Sequence, residues 1–567
     1  KALLPDPGAE LSAAWEGSVP AVFAARARRA PDAAAVADAG GTWSYGELDA
    51  RSNRLARYLR AHGIGAEDLV AVYGHRSAAL VWAVVGVLKA GAAFLILDPD
   101  SPVPRLAACL RRAAPRGWLQ LAAAGAPPAE LAVPGCRLTL PAIAAAAVPE
   151  LRAFPSTDPA VAVGADSLAC LSFTSGSTGI PKGILGRHGP LSHFIPWQRR
   201  RFALGPSDRF SMLSGLAHDP LQRDVFTPLQ LGAQLVVPDP DVVAEPRRLA
   251  AWMREERITA AHLTPAMGQL LSSALAEDPA LRLPALRRVL FVGDRLTRRE
   301  VAHLVELAPG VGCVNLYGAT ETQRAVGYYP VPAEPAKETI PLGRGIAGVQ
   351  LPVLNRAGDP AGIGELGEVV VRSPHLARGY LGDPRSTAER FTPWALSRRQ
   401  GERVYRTGDL GRTLPDGNVE YAGRADRQLK IRGFRIEPGE IEAVLGEHQG
   451  VGQAVVVLRQ QRLVAYLVAR GESLPAAGVL RAFVRSRLPE SMVPAVFVEL
   501  EALPLTPNRK VDLRALPVPE RAQETEFVAP RTRVEEILAG VWAEILGLDR
   551  VSVDANFFEL GGHSLLA

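Results

Sequence analysis

Short apolar runs alternate with amphipathic segments through most of the first 400 residues, and that rhythm limits the folds open to this chain. Leu69 to Tyr73, Ala93 to Leu97, Gln234 to Pro238 and Arg288 to Val292 have the length and side chains of buried strands. Leu48 to Ala61 and Arg247 to Glu256 carry helical periodicity between them. Such alternation predicts an α/β architecture with largely parallel sheets. At 567 residues the chain outgrows a single core, and about three or four domains are expected. From about Arg424 to Gly439 the texture changes to short, polar, glycine-punctuated strands, and a smaller α+β unit is expected to follow, to about Pro517. Val518 to Pro530 reads as a polar linker, and the last segment opens with a helix over Arg533 to Leu546. Leu121 to Glu150, rich in alanine and proline, is expected to pack loosely on the surface.

The segment Leu171 to Gly183 carries the clearest chemistry. The strand-like run Leu168 to Phe173 leads into Thr174, Ser175, Gly176, Ser177, Thr178, Gly179 and, after Ile180 and Pro181, Lys182 and Gly183. Glycines let backbone N–H groups converge on an anion, the hydroxyls add donors, and the lysine adds a point charge. The spacing is neither that of a Walker A loop nor that of a Rossmann fingerprint. A flexible Ser/Gly linker is the plainer alternative, but a linker seldom follows a buried strand directly.

Composition removes several function classes. The net charge of +5 is small for this length and its arginines are scattered, so a nucleic-acid groove is not expected. Cys109, Cys136, Cys170 and Cys313 lie far apart without a Cys-x-x-Cys pair, which argues against a zinc site or disulfide framework and fits a reducing cytoplasm. The first residues lack a basic region followed by a long apolar one, so no signal peptide is expected. Leu80 to Leu88 is too short to cross a membrane and runs into Lys89. No Gly-x-Ser-x-Gly elbow with matched His and acid stands out for a serine hydrolase.

Further segments ask for more than packing. Tyr317-Gly-Ala-Thr-Glu321 sets a ring, the Thr320 hydroxyl and a carboxylate at a strand end, where α/β folds gather ligands. Tyr405 to Leu410 places Asp409 in what reads as a tight turn, suited to a pair of ribose hydroxyls. Gly423 to Gly433 is densely charged, and Pro507 to Lys510 offers a lysine in a turn. Each alone could be a solvated turn. Their order is what distinguishes them.

With Trp43 to Leu48, Leu88 to Gly91, Gly379-Tyr380 and the terminal Gly-Gly-His-Ser, the chain resembles, essentially end to end, the adenylation domain of a nonribosomal peptide synthetase followed by the start of a peptidyl carrier domain. The resemblance implies a large multi-sheet N-terminal adenylation subdomain over 1–425 and a small α+β C-terminal subdomain over 426–517, turning on a hinge at Asp426. A linker over 518–531 and a partial helical carrier domain over 532–567 follow. It implies ATP, Mg²⁺ and 4′-phosphopantetheine as cofactors, with the arm on Ser564, whose plainer role is helix capping. Lys510 would bridge the substrate carboxylate and the α-phosphate, with Thr320 and Glu321 as further catalytic residues and Glu321 holding the metal. Asp409 and Arg424 would hold the ribose, Tyr317 would stack on adenine, and Thr174 to Lys182 would wrap the pyrophosphate. Many relatives have Asn-Gly-Lys where this chain has Asn508-Arg509-Lys510. Expected partners are a small carboxylic acid, a phosphopantetheinyl transferase, downstream synthetase or reductase domains and a small helper protein, without nucleic acid or membrane.

Carried over residue by residue, the acid-binding pocket falls on Asp219, Pro220, Arg223, His262, Leu290, Val292, Leu316, Arg324 and Ala325, together with Lys510. Asp219 stands where most amino-acid-activating relatives hold the substrate ammonium. A buried cation is costly unless an anion meets it, so two arginines and a histidine against one aspartate point to a substrate with a second carboxylate. The pattern is similar to fungal α-aminoadipate reductases, where an arginine could clamp the carboxylate that does not react. The alternative is that Arg223 pairs internally with Asp219 or Asp224 and only narrows the pocket; neutral amino, hydroxy or keto acids then stay open. An aryl- or acyl-acid ligase and a catalytically silent nucleotide-binding scaffold are the competing readings.

Overall fold

Leu69–Tyr73 is buried at every residue, as a strand covered on both faces of a parallel sheet must be. The computed structural model describes residues 4–133, 135–143, 148–176, 181–216, 219–431, 433–459, 462–471, 473–504, 511–519, 528–546, 548 and 550–553. Contacts divide the chain into two units, one spanning 1–174 and 181–434, the other 175–180 and 435–567.

In the first unit, one sheet runs in spatial order Cys136–Leu140, Gly117–Leu121, Leu69–Tyr73, Ala93–Leu97, Leu168–Thr174 and Lys182–Arg187. The pairs are parallel except the last, where Thr174 stands opposite Lys182 and the two bracket the glycine-rich loop. Lys89 does not end the helix Ala78–Lys89 in solvent. It is buried against Asp49, 2.5 Å away, and Asn53, 2.7 Å away. The stretch expected to lie loosely on the surface supplies the edge strand Cys136–Leu140, and it buries Leu131, Leu138 and Leu140.

A second sheet of the same unit runs Arg344–Gly345, Arg324–Pro330, Gly312–Ala319, Arg288–Phe291, Ala260–Leu263, Arg209–Ser211, Gln234–Val236, Ala34–Asp38 and Gly41–Ser44. His262, Leu290 and Val314 are in register across three of its parallel strands. Val292 and Leu316 follow two residues on, so they share that face. Next to this row the helix Pro220–Leu231 begins at Pro220, the first helical position that proline favours, with Asp219 just before it. A third sheet holds Val353–Leu354, Gly367–Arg372, Arg403–Thr413, Phe391–Pro393 and Val419–Arg424.

Asp409, expected in a tight turn, lies inside the long strand Arg403–Thr413. Gly408, at φ +74°, supplies the turn-like signal. A Cβ there would come within 2.7 Å of Arg424 Nη2 and 2.8 Å of Asp426, so the missing side chain is what lets those groups close over the strand.

The second unit has the sheet Val451–Arg459, Arg462–Ala469, Val496–Glu499 and the helices Pro438–Gly446 and Ala477–Arg485, the α+β composition expected of it. The helix Arg533–Leu546 has the expected bounds.

Candidate active site

Two clusters of expected site residues form in the first unit. The first centres on Asp409, which is 3% exposed. Tyr317 donates its hydroxyl to Asp409 Oδ2 at 2.6 Å, Arg424 hydrogen-bonds Oδ1, and Lys430 Nζ stands 3.7 Å from Oδ2. Burial, then the neighbouring carboxylate, raises the Tyr317 phenol well above its ordinary pKa, which keeps it a donor. Thr407 Oγ1 accepts from the Asp409 N–H at 3.0 Å, which fixes the carboxylate's root. A carboxylate offers about four lone-pair directions, so two acceptor positions of Asp409 stay open. Lys430 also lies 5.7 Å from the centre of the Tyr317 ring. Its place at this centre was not foreseen, although it belongs to the charged segment Gly423 to Gly433. Asp426 accepts from Arg424 at 2.7 and 2.9 Å and from Arg390 at 3.2 Å. It lies upstream of the boundary between the units.

The second cluster surrounds the turn Thr320–Thr322. Thr320 donates to Asp219 Oδ1 at 2.9 Å. Glu321 is fully buried and its Oε1 accepts the Tyr380 hydroxyl at 2.6 Å. Four residues after Asp219, Arg223 is 1% exposed. Burial lowers its pKa, opposed by the negative charges of Asp219 and Asp224. Its Nε and Nη2 have no hydrogen-bond partner among the described residues.

Asp224 gives Arg223 negative charge but no hydrogen bond, and its oxygens meet other donors. Oδ2 accepts from Leu213 N at 3.0 Å and Ser214 N at 2.8 Å, and Oδ1 lies 3.1 Å from His262 Nδ1. Gln198 Nε2 stands 3.0 Å from His262 Nε2, while Gln198 Oε1 accepts from Thr227 at 3.3 Å. In this chain of bonds Nδ1 faces the carboxylate and Nε2 faces the Gln198 amide. His262 therefore belongs to a buried structural network, which the sequence did not reveal because Gln198 and Asp224 come from separate helices. Arg324 is also fully buried, and its Nη2 donates to Ser373 Oγ at 2.9 Å. Leu290, Val292, Leu316 and Ala325 are buried and apolar, as a pocket wall requires.

Thr174 and Lys182 flank the glycine-rich loop. Within the second unit, Ser175 donates to the Arg435 carbonyl at 2.8 Å and the Gly176 N–H donates to Glu440 at 3.2 Å. Ser177, Thr178, Gly179, Lys510 and Ser564 lie outside the described residues.

Three family profiles match in succession. They are the AMP-binding enzyme over residues 23–381, the AMP-binding enzyme C-terminal domain over 440–510 and the phosphopantetheine attachment site over 536–567. The chain belongs to the AMP-binding enzyme family. It is an acyl-AMP-forming ligase with a carrier attachment site, and its cofactors are ATP with Mg²⁺ and 4′-phosphopantetheine. It is 39% identical to L-2-aminoadipate reductase of Schizosaccharomyces pombe, over 100% of this chain and 46% of that one. It is 40% identical to a linear gramicidin synthase of Brevibacillus parabrevis, over 98% of this chain and 7% of that one. The chain thus spans about half the length of the reductases it matches, and far less of the synthase. A solved nonribosomal peptide synthetase protein containing adenylation and carrier domains, bound to a vinylsulfonamide inhibitor, superposes with TM-score 0.77 at 27% identity over 97% of this chain and 90% of that one. Among the described residues no helix is long and apolar enough to cross a membrane.

The Asp409 cluster generates a first prediction. Asp409→Asn removes the charge that Arg424 and Lys430 balance, and the KM for ATP in ATP–pyrophosphate exchange should rise at least about tenfold. The KM for the acid substrate should hardly move. An unchanged KM for ATP would contradict a ribose contact at Asp409.

Proposed function

We propose that this chain activates a small amino acid with a second carboxylate, 2-aminoadipate or a close analogue, and passes the acyl group to the phosphopantetheine thiol on Ser564. The observation that carries the reading is the buried Arg223 beside Asp219. Two of its nitrogens lack an acceptor among the described residues, and Asp224 is occupied by backbone N–H groups and His262. A guanidinium in that state is costly until an anion arrives. Asp219, oriented by Thr320, takes the substrate ammonium, and Arg223 takes the carboxylate that does not react. Leu290, Val292, Leu316 and Ala325 exclude water along the aliphatic part.

The other carboxylate attacks the α-phosphorus of ATP in line, an O–P bond forms, and the bond to the leaving pyrophosphate breaks. Such a step needs positioning and charge more than acid–base chemistry. Lys510 spreads positive charge over the carboxylate and α-phosphate, the loop from Thr174 to Lys182 holds the pyrophosphate, Asp409 and Arg424 hold the ribose, and Tyr317 lies against adenine. The donors at the Thr320–Thr322 turn are oxygens, which suit Mg²⁺, a hard cation, and Glu321 would hold it. When bound, the ion offsets phosphate charge. In the second half-reaction the thiol, losing its proton, attacks the acyl carbon, and the bond to AMP breaks. Turning the small subdomain about Asp426 would exchange Lys510 for the arm.

A role as the adenylation and carrier portion of a carboxylic acid reductase is favoured by the similarity to L-2-aminoadipate reductases; a module of a peptide synthetase is the second reading, supported by the gramicidin synthase relative. Either role calls for a phosphopantetheinyl transferase and further domains to consume the thioester, and a small helper protein is compatible with both. The four free cysteines suit a cytoplasmic setting.

Lys510→Ala should lower substrate-dependent ATP–pyrophosphate exchange at least about 100-fold; wild-type exchange in that variant would sink the adenylation mechanism. Arg223→Ala should raise the KM for 2-aminoadipate about 100-fold while changing that for a neutral amino acid far less. An equal loss for both acids would make Arg223 a structural arginine.

A further inference from the structure

Glu321 follows the strand Gly312–Ala319 of one sheet and Lys182 opens the strand Lys182–Arg187 of another, yet one side chain meets both. The Tyr380 hydroxyl donates to Glu321 Oε1 at 2.6 Å. The centre of its ring lies 5.6 Å from Lys182 Nζ, inside the range of about 6 Å over which a ring face attracts an ammonium. Tyr380 is buried, and the Phe391 ring packs edge-on against it at 5.9 Å.

The backbone around Tyr380 is tied to the same two places. The Ala377 N–H donates to the Glu321 carbonyl at 3.0 Å. The Arg378 N–H donates to the Leu185 carbonyl at 2.9 Å, the Leu185 N–H to the Gly379 carbonyl at 3.0 Å, and the Leu381 N–H to the Gly183 carbonyl at 2.7 Å. Tyr380 itself stands antiparallel to Ile184. Gly379, at φ +144°, admits Thr387, whose side chain a Cβ would strike, and Thr387 Oγ1 accepts the Tyr380 N–H at 2.9 Å. Two further charges lie near this group. Arg390 is engaged with Asp426 at 3.2 Å, and Asp383 accepts the Ser386 N–H at 2.9 Å at the start of the helix Pro384–Arg390.

A buried carboxylate needs a hydrogen-bond donor, and the kind of donor decides what the carboxylate can still do. A lysine or arginine at this place would cancel the charge that attracts a metal ion. A phenol gives a short bond that fixes the direction of the carboxylate and leaves it anionic. The ring acts on Lys182 in the complementary way, since its face attracts the ammonium without a formal negative charge and leaves the cation available to phosphate. Resting on the roles proposed above for Glu321 at Mg²⁺ and Lys182 at pyrophosphate, we infer that Tyr380 is a positioning residue that sets the two against each other. Its hydroxyl aims the Glu321 carboxylate at the metal ion, and its ring seats the Lys182 ammonium. The backbone of 377–381 carries that alignment from the Thr320–Thr322 turn to the strand that leaves the glycine-rich loop.

The test uses the full chain and two readouts. Mn²⁺ binding in the presence of a non-hydrolysable ATP analogue is followed by the electron paramagnetic resonance of the free ion, and the KM for pyrophosphate is taken from exchange at saturating Mg²⁺. Tyr380→Phe should weaken Mn²⁺ binding about tenfold and leave the affinity for the analogue in EDTA, the KM for the acid substrate and the KM for pyrophosphate within about twofold of wild type. Tyr380→Leu, which also removes the ring, should in addition raise the KM for pyrophosphate about threefold. The phenylalanine variant keeps the packing of the ring and carries the test if the leucine variant does not fold. Glu321→Gln and Lys182→Ala check the reading beneath the inference. Wild-type Mn²⁺ affinity in the first, or a wild-type KM for pyrophosphate in the second, overturns the role of that residue and the inference with it. Losses in those two variants with unchanged Mn²⁺ binding in Tyr380→Phe, or an equal loss of metal, nucleotide and acid affinity in Tyr380→Phe, overturn the role of Tyr380 alone.

Discussion

The carboxylate of Asp224 is held by three donors before any substrate arrives. Two backbone N–H groups and His262 take its oxygens, and Gln198 and Thr227 extend the network behind the histidine. With its oxygens turned to those donors, Asp224 supplies Arg223 with charge but not with an acceptor, and two guanidinium nitrogens stay open to a substrate anion. Much of the substrate argument follows from this one buried acceptor. Buried polar networks rigidify a site only when every member is satisfied, and here the satisfied members surround one that is not.

Charge is arranged differently around Asp409. Asp409 meets Arg424, Lys430 and the Tyr317 hydroxyl, so negative and positive groups are matched in place. A matched cluster holds its geometry without ligand, which suits the ribose contact proposed for Asp409. An unmatched cluster draws stabilisation from its ligand, which suits a group that must choose among acids. The ends of the sheet strands bring both clusters into one unit. Gly312–Ala319 ends in the turn with Thr320 and Glu321, and the antiparallel return strand begins with Arg324.

The sequence showed the elements well where the pattern was regular. Leu69–Tyr73, Ala93–Leu97 and Arg533–Leu546 have the bounds read from it, because each is a clean apolar run or a clean helical period. Two misreadings have identifiable causes. Gly408 beside Asp409 looks like a turn but marks a close approach of Arg424 to a long strand. The alanine- and proline-rich stretch hid an edge strand, since Cys136–Leu140 alternates buried and exposed residues and exposes Arg137 and Thr139. At the site, residue types were legible and pairings were not. The order of the residues could not tell that His262 would bond to Asp224 and Gln198, that Lys430 would approach Asp409, or that Ser373 would receive Arg324, because each pair joins elements separated along the chain.

The most direct test of the central claim is substrate-dependent ATP–pyrophosphate exchange by the phosphopantetheinylated chain across a panel of neutral amino acids, hydroxy acids, keto acids and dicarboxylic amino acids. The account predicts strong exchange with 2-aminoadipate or a dicarboxylic amino acid of similar length, and little with its neutral counterparts. Strong exchange with a neutral acid and none with any dicarboxylic one would contradict it, and would return Arg223 to the role of a wall.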